Sequence, residues 1–116
     1  MVWLYIPQLS SLSPAAQQHI ETSDLLISPM VALELEYLHE IGRLTVRGND
    51  VVQSLTAQLG LRVCDQPFPP IVDRALAQTW TRDPFDRIIA AHAMYADRPL
   101  VTRDDTIRAN CPVAVW

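Results

Sequence analysis

Three dipeptides with proline in second place divide the chain into short segments. Ser13-Pro14, Ser28-Pro29 and Asp83-Pro84 each put a capping residue directly before proline, an order typical of a helix start. The apolar runs predicted as strands are Leu25–Ser28, Leu61–Cys64, Pro99–Thr102 and Val113–Trp116. Short apolar strands that alternate with helices predict an α/β fold, in which a mostly parallel sheet is covered by helices on both faces.

Length and composition limit the possible classes of protein. The 116 residues are expected to form one domain, residues 1–116, and a hydrophobic share of 49% is ordinary for a folded one. The net charge of −4 gives no general attraction to nucleic acid, although all nine basic residues are arginine. Cys64 and Cys111 have no metal-ligand spacing, and reduced thiols in a cytoplasmic protein are the simpler interpretation. No apolar run reaches the length of a membrane span.

The helix boundaries follow from caps and periodicity. The helix after Ser28 carries apolar residues at the spacing of one helix face: Met30, Leu33, Tyr37, Leu38 and Ile41. Asn49 or Asp50 is the predicted cap of a helix that runs to Leu59. Pro69-Pro70 predicts a helix that reaches about Trp80. His92 lies on the apolar stripe of the helix after Asp83, so we predict that it is packed and not catalytic.

Three carboxylates occupy the positions where a parallel sheet presents its chemistry. Glu34 lies on the helix after the Leu25–Ser28 strand, Asp86 in the first turn of a later helix, and Asp104 directly after the Pro99–Thr102 strand. Ligands of such sheets bind at the carboxyl ends of the strands. If the three side chains converge there, their oxygens suit Mg²⁺ or Mn²⁺, which activates water and offsets charge on a phosphodiester.

Each acid also has a structural interpretation. Asp83 is most simply a helix N-cap, and Asp86 is favoured at a helix start by the helix dipole. Glu34 belongs to a helix with Glu36 and Glu40 that a solvated face would explain, and Asp104 would fit an exposed turn. Both interpretations stay open on composition alone.

Three segments resemble the motifs of PIN domains, most closely the VapC-type toxin ribonucleases of toxin–antitoxin pairs. The segments are Ile27–Leu35, Arg82–Ala91 with its Asp-Pro-Phe-Asp-Arg run, and Leu100–Asp104. The resemblance implies a three-layer α/β/α fold and a metal-dependent endoribonuclease that hydrolyses RNA with Mg²⁺ or Mn²⁺. It implies Glu34, Asp86 and Asp104 as catalytic and metal-binding residues.

The resemblance also implies accessory residues and partners. Asp83 and Asp105 would be accessory acids, and Thr102 would orient the cluster by hydrogen bonding. Toxins of this type form homodimers and are blocked by an antitoxin inserted near the acidic groove. The neighbouring arginines would contact RNA phosphates or an acidic antitoxin segment, or else pair with the nearby aspartates: they are Arg82, Arg87 and Arg103.

The N-terminus departs from the family pattern. The family begins with a strand that ends in a metal-binding aspartate, whereas Val2–Tyr5 resembles the helix that follows it, so that strand and its acid are predicted to be absent. A late start codon, a shortened chain and a decayed gene copy would each explain this, and the first two fit three intact motifs better. Two alternative functions remain: a catalytically impaired PIN-like binding module, and a phosphohydrolase of another α/β family.

Overall fold

The fold comes from a computed structural model that describes residues 2–5 and 12–116. Its strands are β1 (Val2–Tyr5), β2 (Leu25–Ile27), β3 (Arg62–Val63), β4 (Leu100–Thr102) and β5 (Ala114–Val115). Its helices are α1 (Pro14–Thr22), α2 (Pro29–Glu40), α3 (Gly48–Leu59), α4 (Phe68–Leu76), α5 (Pro84–Ala96) and α6 (Asp105–Asn110). Of the helices in these ranges, none combines the length and the apolar character needed to cross a membrane.

The five strands form one parallel sheet in the order β3-β2-β1-β4-β5. In the sheet, Trp3 aligns with Leu26 of β2 on one side and with Leu100 of β4 on the other. The predicted α/β fold, a three-layer α/β/α arrangement around a parallel sheet, is confirmed.

The predicted helix at Val2–Tyr5 is wrong, and so is the predicted absence of an N-terminal strand. These residues form β1, the central strand. Valine, tryptophan and tyrosine favour strands. Pairing with β2 on one side and with β4 on the other holds this segment in the sheet. Trp3 and Leu4 are buried, so β1 supplies part of the core between the two helical layers.

The predicted caps are confirmed at all three Xaa-Pro helix starts. Ser13 accepts a hydrogen bond from the Ala16 amide at 3.0 Å and Ser28 accepts one from the Met30 amide at 3.2 Å. Asp83 accepts hydrogen bonds from the amides of Phe85 and Asp86. These bonds satisfy amide donors that a helix start leaves free, and they fix where α1, α2 and α5 begin.

Other boundaries differ from the prediction. The helix α3 begins at Gly48, before the predicted cap, and α4 ends at Leu76 instead of near Trp80. The residues after Asp104 form α6 and not a simple turn, with Asp104 as its cap. His92 is buried, as predicted.

The apolar residues of α2 do not all face the core. Val31 and Leu35 are buried, whereas Leu33, Tyr37 and Ile41 are 55%, 48% and 49% exposed. A different face of α2 packs closely on α3, where a Cβ on Gly48 would lie 2.6 Å from the Glu36 amide nitrogen. One apolar stripe of α2, through Leu33 and Tyr37, therefore faces solvent.

Candidate metal centre

The side chains at the candidate site come from the carboxyl ends of the central strands and from two helices. Tyr5 ends β1 and aligns with Thr102, which ends the neighbouring β4. Glu34 lies on α2, which follows β2, and Asp86 lies in the first turn of α5. Parallel strands end at the same edge of a sheet, so the topology brings residues far apart in sequence to one place.

Three carboxylates form a compact group, called here the acidic cluster: Glu34, Asp83 and Asp86. One oxygen from each lies within 4.8 Å of the others. Asp83 therefore has two roles, because its Oδ1 also accepts a hydrogen bond from the Phe85 amide at 2.8 Å. Of the predicted metal-binding residues, Glu34 and Asp86 lie in the cluster, together with Asp83, which was predicted as an accessory acid.

Asp104 lies on another side of the same site and outside the cluster. It lines a cavity of about 340 Å³ with Tyr5, Glu34, Thr102 and Arg103. One carboxylate oxygen of Asp104 accepts a hydrogen bond from the Ile107 amide. The backbone amide of Asp104 donates a hydrogen bond to the hydroxyl of the buried Thr102 at 3.2 Å. Thr102 thus positions the backbone that carries Asp104, whereas its orienting role toward the acidic cluster, which the resemblance implies, stays a prediction.

Asp105 belongs neither to the acidic cluster nor to the residues that line the cavity. Its side chain is 92% exposed, and it forms an ion pair with Arg108. The structure therefore does not bring this predicted accessory acid into the group.

The Tyr5 hydroxyl lies between two of the clustered acids. Its oxygen is 2.8 and 2.7 Å from the two Glu34 carboxylate oxygens and 2.7 Å from Asp86 Oδ1. Sequence reasoning missed Tyr5 because it placed Val2–Tyr5 in a helix. A strand assignment would have put Tyr5 at the carboxyl end of β1, where site residues are expected.

The electrostatics of the cluster disfavour negative charge. Burial, followed by the nearby charges of Asp86, Asp83 and Asp104, raises the pKa of Glu34, while the Tyr5 hydrogen bond opposes the rise. Burial and the charges of Asp83 and Asp104 likewise raise the pKa of Asp86, again against the Tyr5 hydrogen bond. Burial and the hydrogen bonds to both acids raise the pKa of Tyr5 far above its usual range.

The donor set of this site fits a divalent cation. Carboxylate oxygens are hard ligands of the kind that Mg²⁺ and Mn²⁺ prefer. The carboxylates repel one another, and the Tyr5 hydroxyl has one proton for three neighbouring carboxylate oxygens. A positive charge between Glu34, Asp83 and Asp86 would relieve that repulsion.

The three arginines that are predicted to contact RNA or an antitoxin have different surroundings. Arg87 donates from Nε and Nη2 to the carbonyls of Ala75 and Leu76, each at 3.1 Å, so it is engaged at the C-terminal end of α4. Arg82 donates to the Thr79 carbonyl at 2.9 Å. Arg103 lines the cavity beside Glu34. Within residues 2–5 and 12–116, none of the three forms an ion pair with the site aspartates.

Comparison with known protein families agrees with the fold and the site described above. No curated protein matches the chain significantly. The family model described as PIN domain matches residues 2–111, which include every site residue described above. This match extends over nearly the whole chain and agrees with the parallel sheet and the acids at its edge. The chain therefore belongs to the PIN domain family.

Proposed function

We propose that the protein is a metal-dependent endoribonuclease and the toxin component of a toxin–antitoxin pair of the VapC type. PIN domains are in general nucleases, which supports hydrolysis of nucleic acid. The observation that carries the proposal is the acidic cluster, in which Glu34, Asp83 and Asp86 offer oxygens within 4.8 Å of one another. Membership of the PIN family excludes the alternative that the chain is a phosphohydrolase from another α/β family.

The acids and the arginine at the site have different proposed roles. Bound Mg²⁺ or Mn²⁺ would supply Lewis-acid chemistry, which activates water and stabilises charge on a phosphodiester. Glu34 and Asp86 would hold the cation, with Asp83 beside them and Asp104 across the cavity. Arg103 lies at the same cavity and would bind a substrate phosphate through its guanidinium. Arg87 is already engaged with α4 and is not part of this role.

The first test is Mn²⁺-dependent cleavage of RNA by the protein and by Asp86→Asn. The substitution keeps the size of the side chain and removes its charge, so we expect a loss of at least about tenfold in cleavage rate. Asp97→Asn is the matched control on the opposite end of α5, where φ is 53° and asparagine is tolerated. Equal cleavage by the protein and by Asp86→Asn would contradict the proposed site.

The proposed partners are a second copy of the chain and an antitoxin, and the proposed location is the cytoplasm. Leu33 and Tyr37 on α2, with Ile41 directly after it, expose an apolar face on the helix that carries Glu34, which supports a protein contact beside the site. Light scattering during size-exclusion chromatography tests the homodimer. A reading frame for a small protein beside this gene, whose product suppresses RNA cleavage, tests the antitoxin.

A second candidate function is a PIN-like binding module with impaired catalysis. Tyr5 favours it, because a phenol occupies the end of the central strand between two acids. Isothermal titration calorimetry with Mn²⁺ separates the two functions. Detectable binding that Asp86→Asn weakens supports the ribonuclease, and no binding up to millimolar Mn²⁺ supports the binding module.

A further inference from the structure

The Tyr5 hydroxyl has more contacts than a tyrosine needs for packing. It contacts both oxygens of Glu34 and one oxygen of Asp86, at 2.7 to 2.8 Å. These contacts join the end of β1 to α2 and α5, through acids that lie 29 and 81 residues from Tyr5 in the sequence. Within residues 2–5 and 12–116, Tyr5 is therefore the side chain that links Glu34 and Asp86 by hydrogen bonds.

A hydroxyl satisfies this arrangement only in part. A phenol has one proton to donate, whereas three carboxylate oxygens lie within hydrogen-bond distance of it. When both acids are ionised, the remaining contacts set oxygen lone pairs against one another. A divalent cation would satisfy all of these oxygens at once, because it attracts every carboxylate lone pair that faces it.

We propose that the Tyr5 hydroxyl and a divalent cation compete for the same oxygens of Glu34 and Asp86. Tyr5 is then a positioning residue: its hydroxyl holds the two acids near each other, and a bound cation would take its place. The inference rests on the proposed metal site but not on RNA cleavage.

The geometry decides between competition and direct coordination by Tyr5. Both Glu34 oxygens and Asp86 Oδ1 contact the hydroxyl, so three of the four carboxylate oxygens of these two acids already have a hydrogen-bonding neighbour. Mg²⁺ requires ligand oxygens at about 2.1 Å in a near-octahedral arrangement. A cation held by these same three oxygens at that distance would take the place of the hydroxyl between the two acids.

The direct test is Mn²⁺ affinity of the protein and of Tyr5→Phe, measured by calorimetry. Phenylalanine keeps the ring and removes the competing hydroxyl, so we expect Mn²⁺ to bind about tenfold more tightly, the size expected for one hydrogen bond to a charged group. The thermal midpoint without metal should fall, and the rise on adding Mn²⁺ should be larger than in the parent. Tyr95→Phe, on the exposed side of α5, is the matched control and should change neither value.

Each result either supports or overturns the proposal. Weaker binding by Tyr5→Phe would mean that the hydroxyl is a ligand, and equal affinity would mean that it has only a structural role. Absence of Mn²⁺ binding by both proteins would overturn it together with the proposed metal site, whereas an unchanged or weaker affinity overturns it alone. The proposed function fails separately, when RNA cleavage is absent or does not depend on Asp86.

A second measurement does not depend on the folding of Tyr5→Phe. The chain has three tyrosines, so the ring resonances of Tyr5 can be assigned in tyrosine-labelled protein with Tyr37→Phe and Tyr95→Phe. Saturating Mg²⁺ should shift the Tyr5 resonances and leave those of Tyr95 in place. Tyr5 resonances that stay unchanged while calorimetry shows Mg²⁺ binding would overturn the competition.

Discussion

Asp83 combines a structural and an electrostatic role in one carboxylate. Its Oδ1 caps α5 by accepting hydrogen bonds from the amides of Phe85 and Asp86, at 2.8 and 3.4 Å. The same side chain lies in the acidic cluster, and its charge helps to raise the pKa of Glu34 and Asp86. Capping requires an acceptor oxygen, whereas attraction of a cation requires negative charge, so different substitutions separate the two roles.

Asp83→Asn should keep the cap and lose the charge. We expect its free energy of unfolding to stay within about 0.5 kcal/mol of the parent, because asparagine caps as well as aspartate. Its Mn²⁺ affinity should fall severalfold, since one carboxylate of the cluster has become neutral. Asp83→Ala should lose about 1 kcal/mol of stability as well. Urea unfolding and calorimetry measure the two effects, and unchanged Mn²⁺ affinity in both variants would remove Asp83 from the site.

At the scale of elements, local signals predict helix starts well and the placement of elements poorly. Ser28-Pro29 and Asp83-Pro84 locate α2 and α5 because capping is decided by adjacent residues. Val2–Tyr5 is a strand because β2 and β4 bind it on both sides, a long-range effect that a four-residue segment does not reveal. The early start of α3 depends on Gly48, where the backbone of α2 approaches too closely for a Cβ.

The same limit applies to the site. Glu34 and Asp86 are predictable, since each lies on a helix that begins after a recognisable cap. The contacts of Arg87 with Ala75 and Leu76 are not, because nothing near Arg87 in the sequence shows that α4 ends beside it. An arginine next to acidic motifs resembles a phosphate contact whichever role it has.

Truncation of Arg87 should therefore lower the stability of the protein, whereas truncation of Arg103 should weaken its binding to RNA. Arg87→Met removes two hydrogen bonds between α5 and the end of α4, so we expect a loss of about 1–2 kcal/mol of stability. Arg103→Met should leave stability within about 0.5 kcal/mol, weaken RNA binding and lower the salt dependence of that binding by about one phosphate contact. Urea unfolding and RNA titrations at several salt concentrations measure both, and the reverse pattern would exchange the two roles.

At the scale of the whole molecule, the site works against stability in the absence of a cation. Burial and neighbouring acids raise the pKa of Glu34 and Asp86, so between about pH 4 and the raised pKa the folded protein binds more protons than the unfolded chain. The stability contributed by these two groups is fully present below their ordinary pKa and is lost as pH rises through the raised one. Burial lowers the pKa of His92, which has the opposite effect on stability up to about pH 6.5.

Comparison with Glu34→Gln isolates the effect of the cluster, because His92 is the same in both proteins. Without metal, thermal midpoints measured from about pH 4 to 8 should fall in the parent relative to the variant as pH rises, since the parent must ionise a crowded carboxyl. Saturating Mn²⁺ should reverse this trend, because the cation binds the ionised carboxylates of the folded state and stabilises it by mass action. A difference between the two proteins that is independent of both pH and Mn²⁺ would mean that the cluster is an ordinary surface group of acids. A difference that depends on pH alone would leave the carboxylates coupled but without the cation that the proposed ribonuclease requires.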